Sequence, residues 1–322
     1  MRILITGING FAGSHLARYL LTKKDIELYG TVRVRSDLHR IEDIKNCCNL
    51  RLIELTDSVS INNIIQSIKP QQIYHLAAQS YVKSSWDSPL ETYQTNVMGT
   101  VSLFEAVKLL ELECRILVTS TSEVYGSQSG IITELTPPTP NTHYGISKYA
   151  QDQIARLYHK AFNMDVVVTR SFNITGAGRA DVFVDSNFTK QIAVLEKERY
   201  VLNTKTDKDL ILKHGYLETK RDFTDVKDVV KAYVLVMNRG NKGEIYCICQ
   251  EQSTKISDLL DIMIKLSIAD IKTEIDPERF RPVDTLMMIG DCSKLRTELG
   301  WKPEIPLVQS MEELLNYWRK KV

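Results

Sequence analysis

Arg2-Ile-Leu-Ile-Thr6-Gly7-Ile-Asn-Gly10-Phe-Ala-Gly13-Ser14 opens the chain and decides how it folds. The apolar run from Arg2 to Thr6 has the length of a buried strand, and Ser14 to Leu21 reads as the helix that follows. Glycines at positions 7, 10 and 13 let the chain turn sharply, bring a phosphate group against the backbone and let the helix pack on the strand. A pyrophosphate would then rest on the helix N-terminus. A bare Gly-x-x-Gly-x-x-Gly run is only a tight turn. Between a strand and a helix it predicts a dinucleotide site.

The next strand, about Ile26 to Val34, ends in Thr31-Val-Arg33-Val-Arg35-Ser36. Dinucleotide folds place an acid near this point for the ribose 2′-hydroxyl. Arg33, Arg35 and Ser36 suit a 2′-phosphate instead, because guanidinium binds phosphate oxygens bidentately. NADP is the expected cofactor, with NAD the alternative. A third strand, Leu50 to Leu55, leads into Thr56-Asp57, an acceptor at a helix cap. Glu54 or Asp57 is placed to reach an adenine amino group, and Leu55 is counted with the cofactor contacts. Gln72 to Ala78 is a fourth strand whose end, Leu76-Ala77-Ala78, is small enough for a flat cofactor to lie across it. His75 reads as a core residue. Gln79, Ser80 and Lys83 lie beyond the tip, facing cofactor or substrate.

The chemistry is expected between Arg115 and Lys148. Ile116 to Val118 is a buried parallel strand that ends in hydroxyls, placing Thr121, Ser122 and Glu123 at a strand tip. Tyr144 and Lys148 are four apart on the first turns of a helix, so both point to one face. A phenol near its ordinary pKa of ~10 moves protons poorly at neutral pH unless a cation lowers it, and Lys148 is that cation.

A long helix is expected from Pro89 to Leu110, with Gly99 inside it because a neighbour packs closely. The helix from Tyr144 runs to about Phe162, and Asp165 to Arg170 is another strand. The repeated strand, turn and helix predict an α/β fold of the Rossmann type: a doubly wound parallel sheet over residues 1–170. The less regular remainder, 171–322, reads as a smaller mixed α/β substrate domain, some of whose strands rejoin the sheet.

The 322 residues carry 41 basic and 40 acidic side chains, a net charge of +1, so no overall field recruits nucleic acid or a membrane. The N-terminal apolar run is too short for a signal peptide, and no stretch approaches the ~18 apolar residues of a membrane span, so a cytoplasmic protein is expected. Cys47, Cys48, Cys114, Cys247, Cys249 and Cys292 show no metal-ligand spacing and read as reduced structural thiols; no metal is expected.

In order and spacing, Gly7, Gly10, Gly13, Leu76-Ala-Ala, Asn96, Thr121 and Tyr144-x-x-x-Lys148 resemble the extended short-chain dehydrogenase/reductases that act on nucleotide sugars, over nearly the whole chain. Ser120-Thr-Ser-Glu-Val-Tyr-Gly126, Gly30-Thr-Val-Arg33, Leu55-Thr-Asp57, Arg221-Asp-Phe-Thr-Asp225, Arg281-Pro-Val-Asp284 and Ile289-Gly-Asp-Cys-Ser-Lys294 look like one branch. It is the clan of GDP-mannose 4,6-dehydratases and GDP-4-keto-6-deoxymannose reductases.

The resemblance implies a GDP-hexose substrate, C4 oxidation, loss of water across C5 and C6, and hydride return to C6. It makes Thr121, Glu123, Tyr144 and Lys148 catalytic. It assigns the substrate diphosphate to Arg221 and Arg281, a ribose hydroxyl to Asp284 and the sugar-phosphate end to Asn173. Gln79, Ser80, Ser122 and Lys190 are further substrate candidates, with Arg179 beside Lys190. Asn173-Ile-Thr-Gly-Ala-Gly-Arg179 departs from the dehydratase pattern, and Phe183 to Ile192 looks more like the reductase. A 4-keto reductase or an epimerase are therefore the alternative activities. A homodimer or homotetramer is implied through helices near 89–110 and 144–162.

Overall fold

Two-residue alternation explains the central layer. In Arg2–Thr6, Ile3 and Ile5 enter one apolar cluster while Leu4 enters another. In Arg115–Thr121, Leu117 faces the first cluster, and Ile116 and Val118 face the second. A strand apolar on both faces is stable only between two covering layers, and each such side chain contributes roughly 1.5–3 kcal/mol on burial. The computed structural model describes residues 1–201, 209–279 and 287–322 and places these strands in one seven-stranded sheet.

Spatial order across that sheet is Ile245–Ile248, Asp165–Ser171, Arg115–Thr121, Gln72–His75, Arg2–Thr6, Glu27–Val32 and Asn49–Leu52, with every pairing parallel. Arg2–Thr6 is flanked on one side by the next strand in sequence and on the other by the fourth. The order reverses there, and a crevice opens beyond the carboxyl ends of these strands. Phe11–Leu21 and Val226–Arg239 cover one face; Ser58–Ile68, Gly99–Leu109 and His143–Phe162 cover the other. The sheet is the doubly wound one expected from the repeated strand and helix pattern.

Ile245–Ile248 comes from beyond residue 171 and pairs with Asp165–Ser171, so the later half of the chain does rejoin the sheet. Val226–Arg239 and Ser293–Leu299 join the first cluster, and another part of that half packs around a third. Phe188, Ile192, Leu212, Phe223, Leu259, Met263, Met311 and Leu314 hold Val184–Glu196, Ile256–Leu266 and Leu307–Arg319 together.

The helix expected over 89–110 is present as one unbroken run over 89–109, but it is not uniform. Pro89–Tyr93 and Gly99–Leu109 are joined by a wide turn, Gln94–Met98, that carries Asn96 inward to full burial. Gly99 follows it because a Cβ there would lie 2.8 Å from the Leu55 Cβ, which is the close neighbour its sequence position implied.

Candidate active site

The glycine turn is built by contacts no side chain could share. Gly7 adopts φ +74, and a Cβ on it would sit 2.9 Å from the Ala77 Cα. A Cβ on Gly13 would sit 2.3 Å from the Gly7 carbonyl oxygen. Gly10 is the N-cap of Phe11–Leu21 and supplies no side chain to its first amides, whereas Asp57, Thr142 and Asp225 cap their helices with side-chain oxygens. Uncapped amides at a helix N-terminus, with Ala77 and Ala78 opposite, form a cradle that fits a dinucleotide pyrophosphate.

At the end of Glu27–Val32, Arg33 and Arg35 are exposed and neither guanidinium forms an ion pair among the described residues. Arg35 sits at φ +61. The Ser36 hydroxyl donates to the Arg33 carbonyl at 2.5 Å and so closes this turn. Arg33 also lines a cavity of about 400 Å³ with Ala78, Gln79, Ser80 and Tyr81. Glu54 is exposed, Leu55 is buried beneath Gly99, and Asp57 accepts from the Val59 and Ser60 amides.

Tyr144 and the strand tip are brought together through Gly145. A Cβ at that glycine would lie 2.6 Å from the Glu123 carbonyl oxygen, so the tip 121–123 packs directly on the first turn of His143–Phe162. The Thr121 hydroxyl accepts from the Glu123 amide at 3.2 Å and hydrogen-bonds the Tyr144 phenol. Burial raises the Tyr144 pKa, the Glu123 carboxylate raises it further, and the bond to Thr121 opposes both. Ser122 is buried next to them. Thr121, Glu123 and Tyr144 therefore meet at one point.

Lys148 is 3% exposed and makes no hydrogen bond or ion pair among the described residues. Burial pulls its pKa down to about 7, against the opposing pull of Asp152. A buried amine without a protein partner at a crevice mouth is an open hydrogen-bonding position, which fits a ribose hydroxyl of a nicotinamide nucleotide.

Behind these groups lies a connected polar layer. Asn96 accepts from the Gln79 amide at 2.8 Å and donates to the Gln79 carbonyl at 3.0 Å and the Ser147 hydroxyl at 2.9 Å. Ser147 in turn donates to the Tyr144 carbonyl at 2.7 Å. Thr6 Oγ1 accepts from the Leu76 and Ala77 amides at 3.1 Å, so its own hydrogen points to His75 Nδ1 at 2.9 Å. This assigns the His75 proton to Nε2, facing Thr100 Oγ1 at 3.0 Å. Burial, with the Lys148 charge adding to it, holds the His75 pKa down to about 3.

The expected substrate residues are more scattered. The Gln79 carboxamide accepts from the Tyr81 amide and donates to the Tyr81 carbonyl. Asn173 donates to the Asp222 carbonyl at 3.3 Å, and Arg221 donates to the Lys220 carbonyl at 2.8 Å. Lys190 pairs with Asp181 at 2.6 Å and lies over the Trp318 ring. Arg281 and Asp284 lie outside the described residues.

Arg179 has a stronger position than its sequence suggested. It is buried, lies 3.0 Å from Asp185, stacks over Phe183 at 4.1 Å, and its charge reaches the Tyr144 phenol. Its loop is held to the cofactor side by His15 to the Ala177 carbonyl, 2.8 Å, and Arg40 to the Gly178 carbonyl, 2.9 Å. Asn96 as a site organiser was readable only as an amide inside a helical run beside Gly99. Arg170, a charge ending the apolar run Val166-Val-Val-Thr, signals that a buried acid must lie near it.

A family model described as GDP-mannose 4,6 dehydratase matches residues 4–314. The GDP-6-deoxy-D-mannose reductase of Pseudomonas aeruginosa is 29% identical over 324 residues, covering 100% of this chain and 98% of the relative. The GDP-mannose 4,6-dehydratase of Vibrio cholerae is 28% identical, with coverage of 98% and 92%. Among solved structures, RMD from Pseudomonas aeruginosa complexed with NADPH superposes with a TM-score of 0.84 at 28% identity, covering 100% of this chain and 99% of that one.

Proposed function

Because the chain belongs to the GDP-mannose 4,6 dehydratase family and is a nucleotide-sugar enzyme of the short-chain dehydrogenase/reductase type, we propose that it converts a GDP-hexose resembling GDP-mannose into a 4-keto-6-deoxy sugar. The observation that carries this reading is the packing of the Thr121–Glu123 strand tip on Gly145, which sets the Thr121 hydroxyl on the Tyr144 phenol with an acid beside them.

Tyr144, as phenolate, takes the C4 hydroxyl proton, and Thr121 holds that oxygen. Lys148, as ammonium, favours the phenolate. A nicotinamide cofactor, which the turn at Gly7, Gly10 and Gly13 and the Lys148 amine would hold, would supply the hydride acceptor for C4 and the donor for C6. The C4 ketone acidifies C5, where Glu123 takes the proton and passes it to the C6 hydroxyl, which leaves as water. Tyr144 returns its proton to C5 as C6 is reduced, so protons and electrons balance. Exposed Arg33 and Arg35, with no ion pair among the described residues, support NADP over NAD. Exposed Trp86, Leu90, Met98, Leu109, Leu157 and Phe162 on the helices between 82 and 162 support pairing of two copies.

Incubation with GDP-mannose and catalytic NADP, without added reductant, should release a product lighter by one water. Glu123→Gln should still oxidise C4 yet lose water at least ~100-fold more slowly. Full dehydration by that variant removes Glu123 from the mechanism. The full-length likeness to the Pseudomonas reductase supports a second reading. In that case GDP-mannose is left unchanged, and NADPH is consumed with a 4-keto-6-deoxy sugar.

A further inference from the structure

Directly beneath Lys148, one turn along the same helix, lies a carboxylate that the mechanism above does not use. Asp152 is 0% exposed and Arg170, on the neighbouring strand Asp165–Ser171, is 2% exposed. The Arg170 Nε and Nη2 reach Asp152 Oδ2 at 2.8 and 2.7 Å. Arg170 is fixed further by the Tyr125 hydroxyl at 2.9 Å, with its guanidinium over the Tyr125 ring at 5.1 Å. Tyr125 itself donates to the Thr133 carbonyl at 2.9 Å. Only one Asp152 oxygen is occupied in this way. Its Oδ1 is buried and makes no hydrogen bond, and Lys148 on the same helix face likewise makes none.

We propose that Asp152 is a positioning residue of this site: clamped by Arg170, its second carboxylate oxygen keeps Lys148 an ammonium while Tyr144 gives up and recovers its proton. The inference deepens the catalytic reading of Tyr144 and Lys148 and rests on it. A buried amine loses its proton readily, because burial disfavours charge. An opposite charge four residues away on a helix is the nearest compensation available. Arg170 has the opposite task. It keeps Asp152 ionised in a place where burial pushes a carboxyl toward its neutral form.

The charged and titratable groups around this pair are few. His75, on Gln72–His75, faces Lys148 but is held neutral between Thr6 and Thr100. Arg156, on the same helix, acts on Asp152 together with Arg170. Glu123, Arg179 and Tyr233 face Tyr144 rather than Lys148. Asp152 is thus the anion whose charge bears on Lys148.

Two readouts test this on the full chain. One is the pH dependence of cofactor reduction or oxidation. The other, made without sugar substrate, is the pH dependence of Lys148 acetylation by acetic anhydride, read by peptide mass. Asp152→Asn leaves Arg170 as an uncompensated cation and should move the alkaline limb of activity and the Lys148 labelling midpoint down by about one pH unit or more. Asp152→Asn/Arg170→Met removes both charges and should place both midpoints between those of the parent and the single variant. Asp152→Glu should restore most of the parent profile. A purely structural role would lower activity evenly at all pH values. Midpoints in the double variant equal to those of the parent overturn the proposal, as does a uniform loss in Asp152→Asn. If Tyr144→Phe retains activity, the catalytic reading fails instead, and the labelling midpoint still judges Asp152.

Discussion

Replacing Lys148 with Met should make the protein more stable and nearly inactive. Lys148 is 3% exposed, and burial lowers its pKa from 10.5 to about 7. A shift of about 3.5 units, at 1.36 kcal/mol each, corresponds to about 5 kcal/mol of stability forgone whenever the amine is protonated in both states. The sign follows from proton counts. Between pH 7 and 10.5 the unfolded chain binds more protons at this site than the folded one, so parental stability rises with pH there.

Methionine has nearly the same volume and carries no charge, but its thioether repacks the amine's site imperfectly, so a net gain of ~2–3 kcal/mol at pH 7 is expected. Urea denaturation of both proteins without cofactor, at pH 7 and at pH 10.5, measures it. The gap should be largest at pH 7 and close by pH 10.5. Equal stability at pH 7, or a gap that persists at pH 10.5, refutes the claim that the enzyme bears a strained amine for function. Activity should fall ~100-fold or more, the usual share of a proton-transfer partner.

Gly13→Ala places a Cβ 2.3 Å from the Gly7 carbonyl oxygen, so helix and turn must separate by about 1 Å. Dinucleotide affinity, measured by the cofactor-induced rise in melting temperature, should drop ~30-fold; unchanged binding would move the pyrophosphate elsewhere. His75, held neutral with a pKa of about 3, binds fewer protons folded than unfolded below pH 6.5. Relative to His75→Gln, the parent should lose up to ~1.4 kcal/mol of stability per pH unit from pH 6 to pH 4, and parallel pH curves for the two would discard this assignment.

Local rules made much of this fold legible. Gly7, Gly10 and Gly13 demand close backbone approach, and the coordinates show that approach in ångströms. Gly99 predicted a tight neighbour, found in Leu55. Tyr144 and Lys148 share a face because helical spacing forces them to. Wherever one element had to meet another distant in sequence, pattern was silent. An even 3.6-residue period carried the expected helix straight through Asn96, whereas packing imposes a wide turn that moves this amide to Gln79 and Ser147.

The same limit hid the buried ion pair behind the candidate site. Arg170 ends a run of four β-branched residues, and Asp152 sits on a mixed helix face; neither position names the other. Folding places their strand and helix in contact and removes both from water, where each alone would be strongly destabilising. Since a hydrophobic pair of similar volume would be at least as stable there, stability gives no reason for these two charges to occupy the core. The place of Asp152 one helical turn from Lys148 does, because an amine that must stay charged in a dry site requires a counterion that cannot drift away.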